Sequence, residues 1–167
     1  AAHVYWGDKN LNNVVKTTTS GSTSNLLTAS STPDISDPRA ISTDGSHLYI
    51  ANNGGAELVK VAINGACPTT VSLSGSPTVT GLHVNVSYLY YTTWSGCVYR
   101  TAKDGSGLTP MVLASQNGAP SGEFAGVFAT ADTVYFTYYA SGGGISGKVY
   151  KLSLDQNGSS TVSVSVV

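Results

Sequence analysis

The sequence predicts an all-β chain built from four repeats of one small antiparallel sheet, and three observations carry that prediction. Tyr (10 residues), Thr and Val are abundant beside 19 Gly, many Ser and a single Met; β-branched and aromatic side chains suit pleated half-buried surfaces, while Gly and Ser suit tight turns. An aromatic strand core recurs four times, with Tyr5, Tyr49, Tyr90 and Tyr135 lying 44, 41 and 45 residues apart. Each core is followed by a second strand carrying a basic residue and then by a Gly turn, a fixed period of the kind that marks stacked repeat units.

Within each repeat the elements follow one order. The aromatic strands are centred on His3-Val4-Tyr5-Trp6, His47-Leu48-Tyr49-Ile50, Tyr88-Leu89-Tyr90-Tyr91 and Thr133-Val134-Tyr135-Phe136. Next come Val15-Lys16, Val59-Lys60, Tyr99-Arg100 and Tyr150-Lys151, each closed by a turn at Ser20-Gly21, Asn64-Gly65, Asp104-Gly105 or Asn157-Gly158. Glycine supplies the positive φ such hairpins need without a steric cost. A third strand follows at Asn25-Leu26-Leu27-Thr28, Thr70-Val71-Ser72-Leu73, Met111-Val112-Leu113-Ala114 and Thr161-Val162-Ser163-Val164. Small-residue strands lie between repeats, at Arg39-Ala40-Ile41-Ser42, Gly81-Leu82-His83-Val84 and Gly126-Val127-Phe128-Ala129.

Four antiparallel strands in about 43 residues match the blade of a β-propeller, with the small-residue strand innermost. Near-continuous apolar cores such as Leu89-Tyr90-Tyr91 fit sheets covered on both faces by neighbouring blades. A β-sandwich made of the same hairpins is the weaker alternative, because it gives no reason for a four-fold register. The repeats run approximately over residues 1–37, 38–78, 79–123 and 124–167, offset by one strand.

The stretch Val4-Tyr5-Trp6-Gly7-Asp8, followed by Val15-Lys16, Asn25-Leu26-Leu27, Asp37-Pro38-Arg39-Ala40-Ile41 and Thr43-Asp44-Gly45-Ser46-His47-Leu48-Tyr49, resembles the YWTD-type repeat. That repeat occurs in low-density-lipoprotein-receptor-like and bacterial extracellular propellers. The resemblance covers essentially the whole chain, although only the first repeat keeps Tyr-Trp and none has the full tetrapeptide. It implies a propeller, most often one of six blades, and an extracellular or cell-surface setting. Four repeats fall short of six, and the first has no inner strand before His3, so 15 strands are expected. A fragment of a longer propeller or an assembly of copies is therefore expected ahead of a lone ring, because a bare edge or an uncovered apolar face invites association.

Composition narrows the function. With 10% charged residues, a net charge of −1 and singly scattered Lys and Arg, there is no basic stripe to neutralise phosphates. Nucleic acid is not an expected partner. No apolar run approaches the roughly 20 residues that span a bilayer, so no membrane insertion is expected either. Cys67 and Cys97 stand alone, without a CxxC pair or a His cluster to build a zinc site. Whether the two are bridged stays open at this stage.

Propeller ligands meet the face that carries the links into inner strands and the turns after the aromatic strands. The first group places Asp34, Asp37, Arg39, Glu123 and Phe124 there; the second adds Asp8, Asn10, Asn12, Asn52, Asn53, Glu57, Trp94, Tyr138 and Tyr139. Aromatic rings beside amides and carboxylates suit a sugar or a peptide, since rings stack while polar groups orient. Asn and Asp also occupy such positions simply because they form turns. Asp8, Asn10 and Asn12 space oxygens like the start of a calcium loop, but Asn13 and Thr19 occupy the positions where an EF-hand has Gly and Glu.

No Gly-x-Ser-x-Gly elbow, HExxH or phosphate loop is present. His3 and His47 share one repeat position, and His83 sits alone in an inner strand. The expected function is thus a non-enzymatic extracellular module that binds protein or glycan or builds a surface assembly, with no cofactor. The alternative is a fragment of a propeller hydrolase or lactonase whose metal or catalytic residues lie in other blades. Gly142-Gly143-Gly144, in an insertion spanning Ala140 to Gly147, reads as a long flexible or contact loop.

Overall fold

The computed structural model describes residues 2–55, 57–107, 109–112, 122–139, 147–154 and 160–167, with backbone placement alone for 109, 110, 112 and 160–166. These residues form 15 strands and no helix. Sheet 1 has three strands, β1 (His3–Asp8), β2 (Asn13–Thr18) and β3 (Thr23–Leu27). Sheet 2 has β4 (Pro38–Thr43), β5 (His47–Asn52), β6 (Glu57–Ala62) and β7 (Thr69–Val71). Sheet 3 has β8 (Val79–Val84), β9 (Tyr88–Thr93), β10 (Val98–Ala102) and β11 (Thr109–Val112), and sheet 4 has β12 (Glu123–Ala129), β13 (Thr133–Tyr139), β14 (Lys148–Leu154) and β15 (Ser160–Val166). Each sheet runs in chain order, and the four do not close into a ring. The third strand expected at Thr70–Leu73 runs over Thr69–Val71, and Leu73 lies beyond its end, buried in the core.

The local chemistry of the turns explains the order. Gly21, Gly65 and Gly105 all have φ near +90° in the turns after β2, β6 and β10. In each, a side chain accepts a nearby backbone N–H: Thr18 Oγ1 from Ser22, Asn64 Oδ1 from Ala66 and Asp104 Oδ1 from Ser106. The turn expected at Asn157-Gly158 and the loop at Gly142 to Gly144 lie outside the described residues. The turns after the inner strands use the same device, with Asp44 Oδ1 accepting from Ser46 and His47 and Asn85 Oδ1 accepting from Ser87 and Tyr88.

The register places each repeat tyrosine directly opposite its basic residue, as Tyr5↔Lys16, Tyr49↔Lys60, Tyr90↔Arg100 and Tyr135↔Lys151. Directly opposed residues share a sheet face. Every sheet therefore has a tyrosine face and, on the other side, a face carrying Val4 and Trp6, Leu48 and Ile50, Leu89 and Tyr91, or Val134 and Phe136. The tyrosine face packs onto the following sheet. Tyr5 joins a core with Leu48 and Ile50, Tyr49 one with Leu89 and Tyr91, and Tyr90 one with Val134 and Phe136. Tyr5 Oη and Lys16 Nζ both donate to the Ile63 carbonyl of the next sheet, at 3.3 Å each.

Sheets 2 and 3 are covered on both faces, so Leu48–Asn52 and Leu89–Thr93 are continuously buried. The end sheets depart from that expectation. In β1 and β13 burial alternates along most of the strand, because among the described residues one face has no neighbouring sheet. The inner strands β4, β8 and β12 lie side by side and are linked across sheets. Ser42 Oγ accepts the Val84 N–H at 3.0 Å, Thr92 Oγ1 donates to the Ala125 carbonyl at 3.2 Å, and Thr80 Oγ1 donates to the Phe124 carbonyl. Each inner strand shifts register near its start, at Pro38/Ala40, Val79/Gly81 and Phe124/Val127.

Candidate functional site

The ends of the aromatic strands and the starts of the inner strands lie at one end of the sheets, called here the upper face. In sheet 1 the Asp8 carboxylate turns back on its own loop, with Oδ1 accepting the N–H groups of Asn10 (2.9 Å) and Leu11 (3.0 Å). The spacing that resembled a calcium loop thus forms an Asx turn. Asn12, at φ +50°, accepts the Asp37 N–H through Oδ1 at 2.9 Å and joins sheet 1 to the link before β4. Asp37 in turn holds Arg39, whose Nε lies 2.9 and 3.0 Å from its two oxygens, and Lys9 Nζ at 3.5 Å. These exposed ion pairs contribute little to stability, and they leave both cations partly in solvent.

Asn52 and Asn53 are engaged with the backbone. Buried Asn52 accepts the Ser36 N–H at 2.6 Å and donates to the Asp34 carbonyl at 3.0 Å. Asn53 makes the same paired contact one sheet further on, accepting from Val79 N–H at 3.1 Å and donating to its carbonyl at 2.8 Å. Adjacent amides therefore fasten the links on either side of sheet 2. We expect Asn52→Ala to lower unfolding free energy by about 2 kcal/mol, since it orphans a buried N–H and a carbonyl. Urea denaturation checks this, and a loss below about 0.5 kcal/mol would remove the clamp role.

Counting from the repeat tyrosines, Asp8, Asn52, Thr93 and Tyr138 share one position, and Lys9, Asn53, Trp94 and Tyr139 share the next. The second position is aromatic and open in sheets 3 and 4, where Trp94 is 54% and Tyr139 59% exposed. Trp94 is held by its backbone N–H, which donates to the Thr78 carbonyl at 3.1 Å. Glu123 lies opposite Tyr139 across β12 and β13. Of the other expected site residues, Asp34 is exposed, while Glu57 lies opposite Asn52 and accepts from Thr70 Oγ1 at 3.5 Å. Phe124 is fully buried, 4.8 Å from the Phe136 ring, and belongs to the core. Its link position predicts a place on the upper face, but its strand turns the ring inward.

The opposite, lower face holds a group that sequence reasoning did not single out. A groove of about 430 Å³ between sheets 2 and 3 is lined by Thr43, Asp44, Ser46, Val84, Asn85, Val86 and Lys103. Burial pushes the Asp44 carboxyl up, but Lys103 Nζ at 3.0 Å, the N–H groups of His47 and Ser46 and the Ser46 hydroxyl outweigh it and hold the group well below the usual carboxylate range. Tyr49 Oη donates to the same carboxylate at 3.3 Å, and its own pKa is pushed up to about 12 by burial and by that charge. The signal in the sequence was the Asp-Gly-Ser turn; its partner Lys103 is 59 residues away and invisible to spacing.

Cys67 is exposed and Cys97 buried, and both are free thiols. His83 is half buried, its ring 4.6 Å from that of Phe128 and tilted 52° to it across two inner strands, and burial pushes its pKa below the ordinary histidine value. Among the described residues, no three or more His, Cys, Asp or Glu side chains converge on a point that could hold a metal.

No protein-family profile matches the sequence, and no curated protein sequence matches it. Solved structures do. A virginiamycin B lyase from Staphylococcus aureus superposes with a TM-score of 0.72 at 14% identity, over 99% of this chain and 52% of that one. An auxiliary nutrient binding protein from Bacteroides thetaiotaomicron gives 0.71 at 14% identity, over 98% and 38% respectively. The nidogen/laminin complex gives 0.63 at 12% identity, over 95% and 74%. The chain spans about half the length of the Staphylococcus aureus virginiamycin B lyase structures it matches. At these identities the likeness shows the fold: the four sheets are β-propeller blades.

Proposed function

We propose that this chain is a non-enzymatic, extracellular β-propeller module of the YWTD-like kind that binds a glycan or a protein through its upper face. The observation that carries the reading is the pair Trp94 and Tyr139, two open aromatic rings at one repeat position on adjacent blades. A large exposed ring loses little conformational entropy on binding and offers a flat apolar face to a sugar ring or a peptide side chain. Lys9 and Asn53 fill the same position on the other two blades, so the face changes from polar to aromatic along the arc. Propellers of this shape in the nutrient binding protein and in the nidogen/laminin complex support a binding role, and the lyases show that the scaffold also hosts catalysis. The enzyme-fragment reading would need carboxylates or imidazoles from blades beyond the described ones.

The test is titration of the chain against a panel of soluble oligosaccharides and extracellular-matrix proteins, followed by Trp94 fluorescence in a Trp6→Phe background. Trp94→Ala and Tyr139→Ala are each expected to weaken the best binder about 10-fold or more, on the order of 1–2 kcal/mol per lost stacking contact, with unfolding midpoints unchanged. A ligand that binds both variants as tightly as the parent chain would move the site elsewhere.

A further inference from the structure

We propose that the lower-face groove between sheets 2 and 3 is a binding site for a small organic carboxylate with a branched aliphatic body. The groove lies opposite the Trp94 and Tyr139 face, so its occupancy is independent of the ligand reading for that face.

Two of the residues that build the groove are departures from the repeat. Lys103 comes three positions after the basic residue of its blade, where blades 1 and 2 have Thr19 and Ile63. Val86 comes four positions before the repeat tyrosine, where blades 2 and 4 have Gly45 and Ala131. Its side chain is 92% exposed, so it contributes no burial to the blade. The turn that carries it is closed by the Asn85 oxygen, which receives the Ser87 and Tyr88 N–H groups at 3.0 and 2.8 Å. Blade 3 thus adds a cation and an aliphatic side chain to the walls of one groove, at positions where the other blades fold without either.

The hydrogen-bonding capacity of the groove identifies the ligand class. Each acceptor oxygen on its polar side chains is already engaged. Asp44 Oδ1 receives the Ser46 and His47 N–H groups and the Ser46 hydroxyl, and Oδ2 receives Tyr49 Oη and Lys103 Nζ. Thr43 Oγ1 accepts the Gly45 N–H at 3.0 Å, and Ser46 Oγ, its hydrogen committed to Asp44, lies 2.9 Å from His47 Nδ1. The groups left over are donors. They are the Lys103 ammonium hydrogens not given to Asp44, and the Asn85 amide nitrogen, which has no partner among the described residues. A site that offers donors alone matches a group that only accepts, and an ionised carboxylate is such a group. A sugar hydroxyl or an amide would bring hydrogens for which these side chains hold no unengaged oxygen.

The rest of the lining is aliphatic, from buried Val84 and exposed Val86, and gives the body of the ligand an apolar wall. The volume of about 430 Å³ falls within the roughly 300–1,000 Å³ of small-molecule pockets. Asp44 offsets the charge of Lys103, so the affinity is expected to be modest, with a Kd on the order of 1 mM.

Titration with isovalerate, followed in amide nitrogen–proton NMR spectra, tests this directly. The expected result is saturable movement of the Ser46, Val86 and Lys103 signals and of the Asn85 side-chain pair. Isovaleramide, which keeps the shape without the charge, and acetate, which keeps the charge without the body, are each expected to bind about 5-fold or more weakly. Asn85→Asp retains the oxygen that closes the turn, as Asp44 does in blade 2, but replaces the open donor with a negative oxygen. It is expected to weaken isovalerate binding about 10-fold or more, with the unfolding midpoint unchanged. Where that variant loses its β signal in circular dichroism, Val86→Ser, at a position outside the core, replaces it and is expected to weaken binding about 3-fold. Absence of saturable movement at the groove overturns the proposal. So does isovaleramide or acetate binding as tightly as isovalerate, and so does a folded variant that keeps the parent affinity.

Discussion

Gly81→Ala is expected to destabilise the chain by about 3 kcal/mol, the upper part of the range for forcing volume into a packed interior. A Cβ at residue 81 would overlap the Ala125 carbonyl oxygen and come within 2.7 Å of Thr92 Oγ1 and 2.9 Å of Gly126 Cα. Two of those three obstacles are backbone, which no rotamer change can move. The cost would fall on the whole contact between blades 3 and 4, including the Thr80 and Thr92 bonds to β12. Gly126 occupies the same repeat position in sheet 4, on which no further sheet packs among the described residues. A Cβ there meets the Thr137 side chain alone, Oγ1 at 3.3 Å and Cγ2 at 4.0 Å, so Gly126→Ala is expected to cost less than about 1 kcal/mol. Guanidinium unfolding of both variants reads the difference, and equal losses would mean that the inner-strand packing is not what excludes the side chain.

Asp44→Asn is expected to cost about 2–3 kcal/mol near neutral pH, because it removes the charge from hydrogen bonds to Lys103, Tyr49 and its own turn. The carboxylate is 12% and the Lys103 side chain 25% exposed, so solvent screens the pair only in part. The pH dependence follows from the direction of the shift. The folded Asp44 pKa is held below its ordinary value, so the unfolded chain binds the proton more readily. The stabilisation is fully present above the unfolded pKa of about 4 and is lost as pH falls below it toward the folded value. Wild type and Asp44→Asn should therefore differ most above pH 5 or so, and the gap should narrow steadily as pH falls below about 4 toward the folded value. A gap that stays constant down to pH 2 would show that the carboxylate charge contributes nothing at this turn. Lys103→Met, which keeps the aliphatic stem, is expected to reproduce a smaller part of the loss.

Much of this architecture was legible because it is local. Strand positions follow from aromatic cores at a regular spacing, and the turns after β2, β6 and β10 follow from Thr18, Asn64 or Asp104 as hydrogen-bond acceptor ahead of a positive-φ Gly. The alignment of Tyr with Lys or Arg by repeat position turned out to be literal cross-strand opposition in all four blades. Reading the candidate site was less successful for a physical reason. An exposed turn asparagine and a buried clamp asparagine look alike in sequence, and Asn52 and Asn53 are clamps. Phe124, chosen for its place in a link, is core. Trp94 and Tyr139 remain open, and only accessibility separates them from Phe136 and Tyr91.

By itself, then, the sequence determined four repeats, their strand order, the turns and the tyrosine-to-cation register, because each depends on residues a few positions apart and on the two-residue period of a strand. The tertiary structure alone decided which faces are covered. The same apolar position is sealed in blades 2, 3 and 4 and open at Val4 and Trp6, since burial depends on a neighbouring sheet about 40 residues away in the chain. It also decided that Asp44 meets Lys103 and that Gly81 cannot carry a Cβ. These are contacts between blades, and no local pattern records which side chain of one blade lies against which atom of the next.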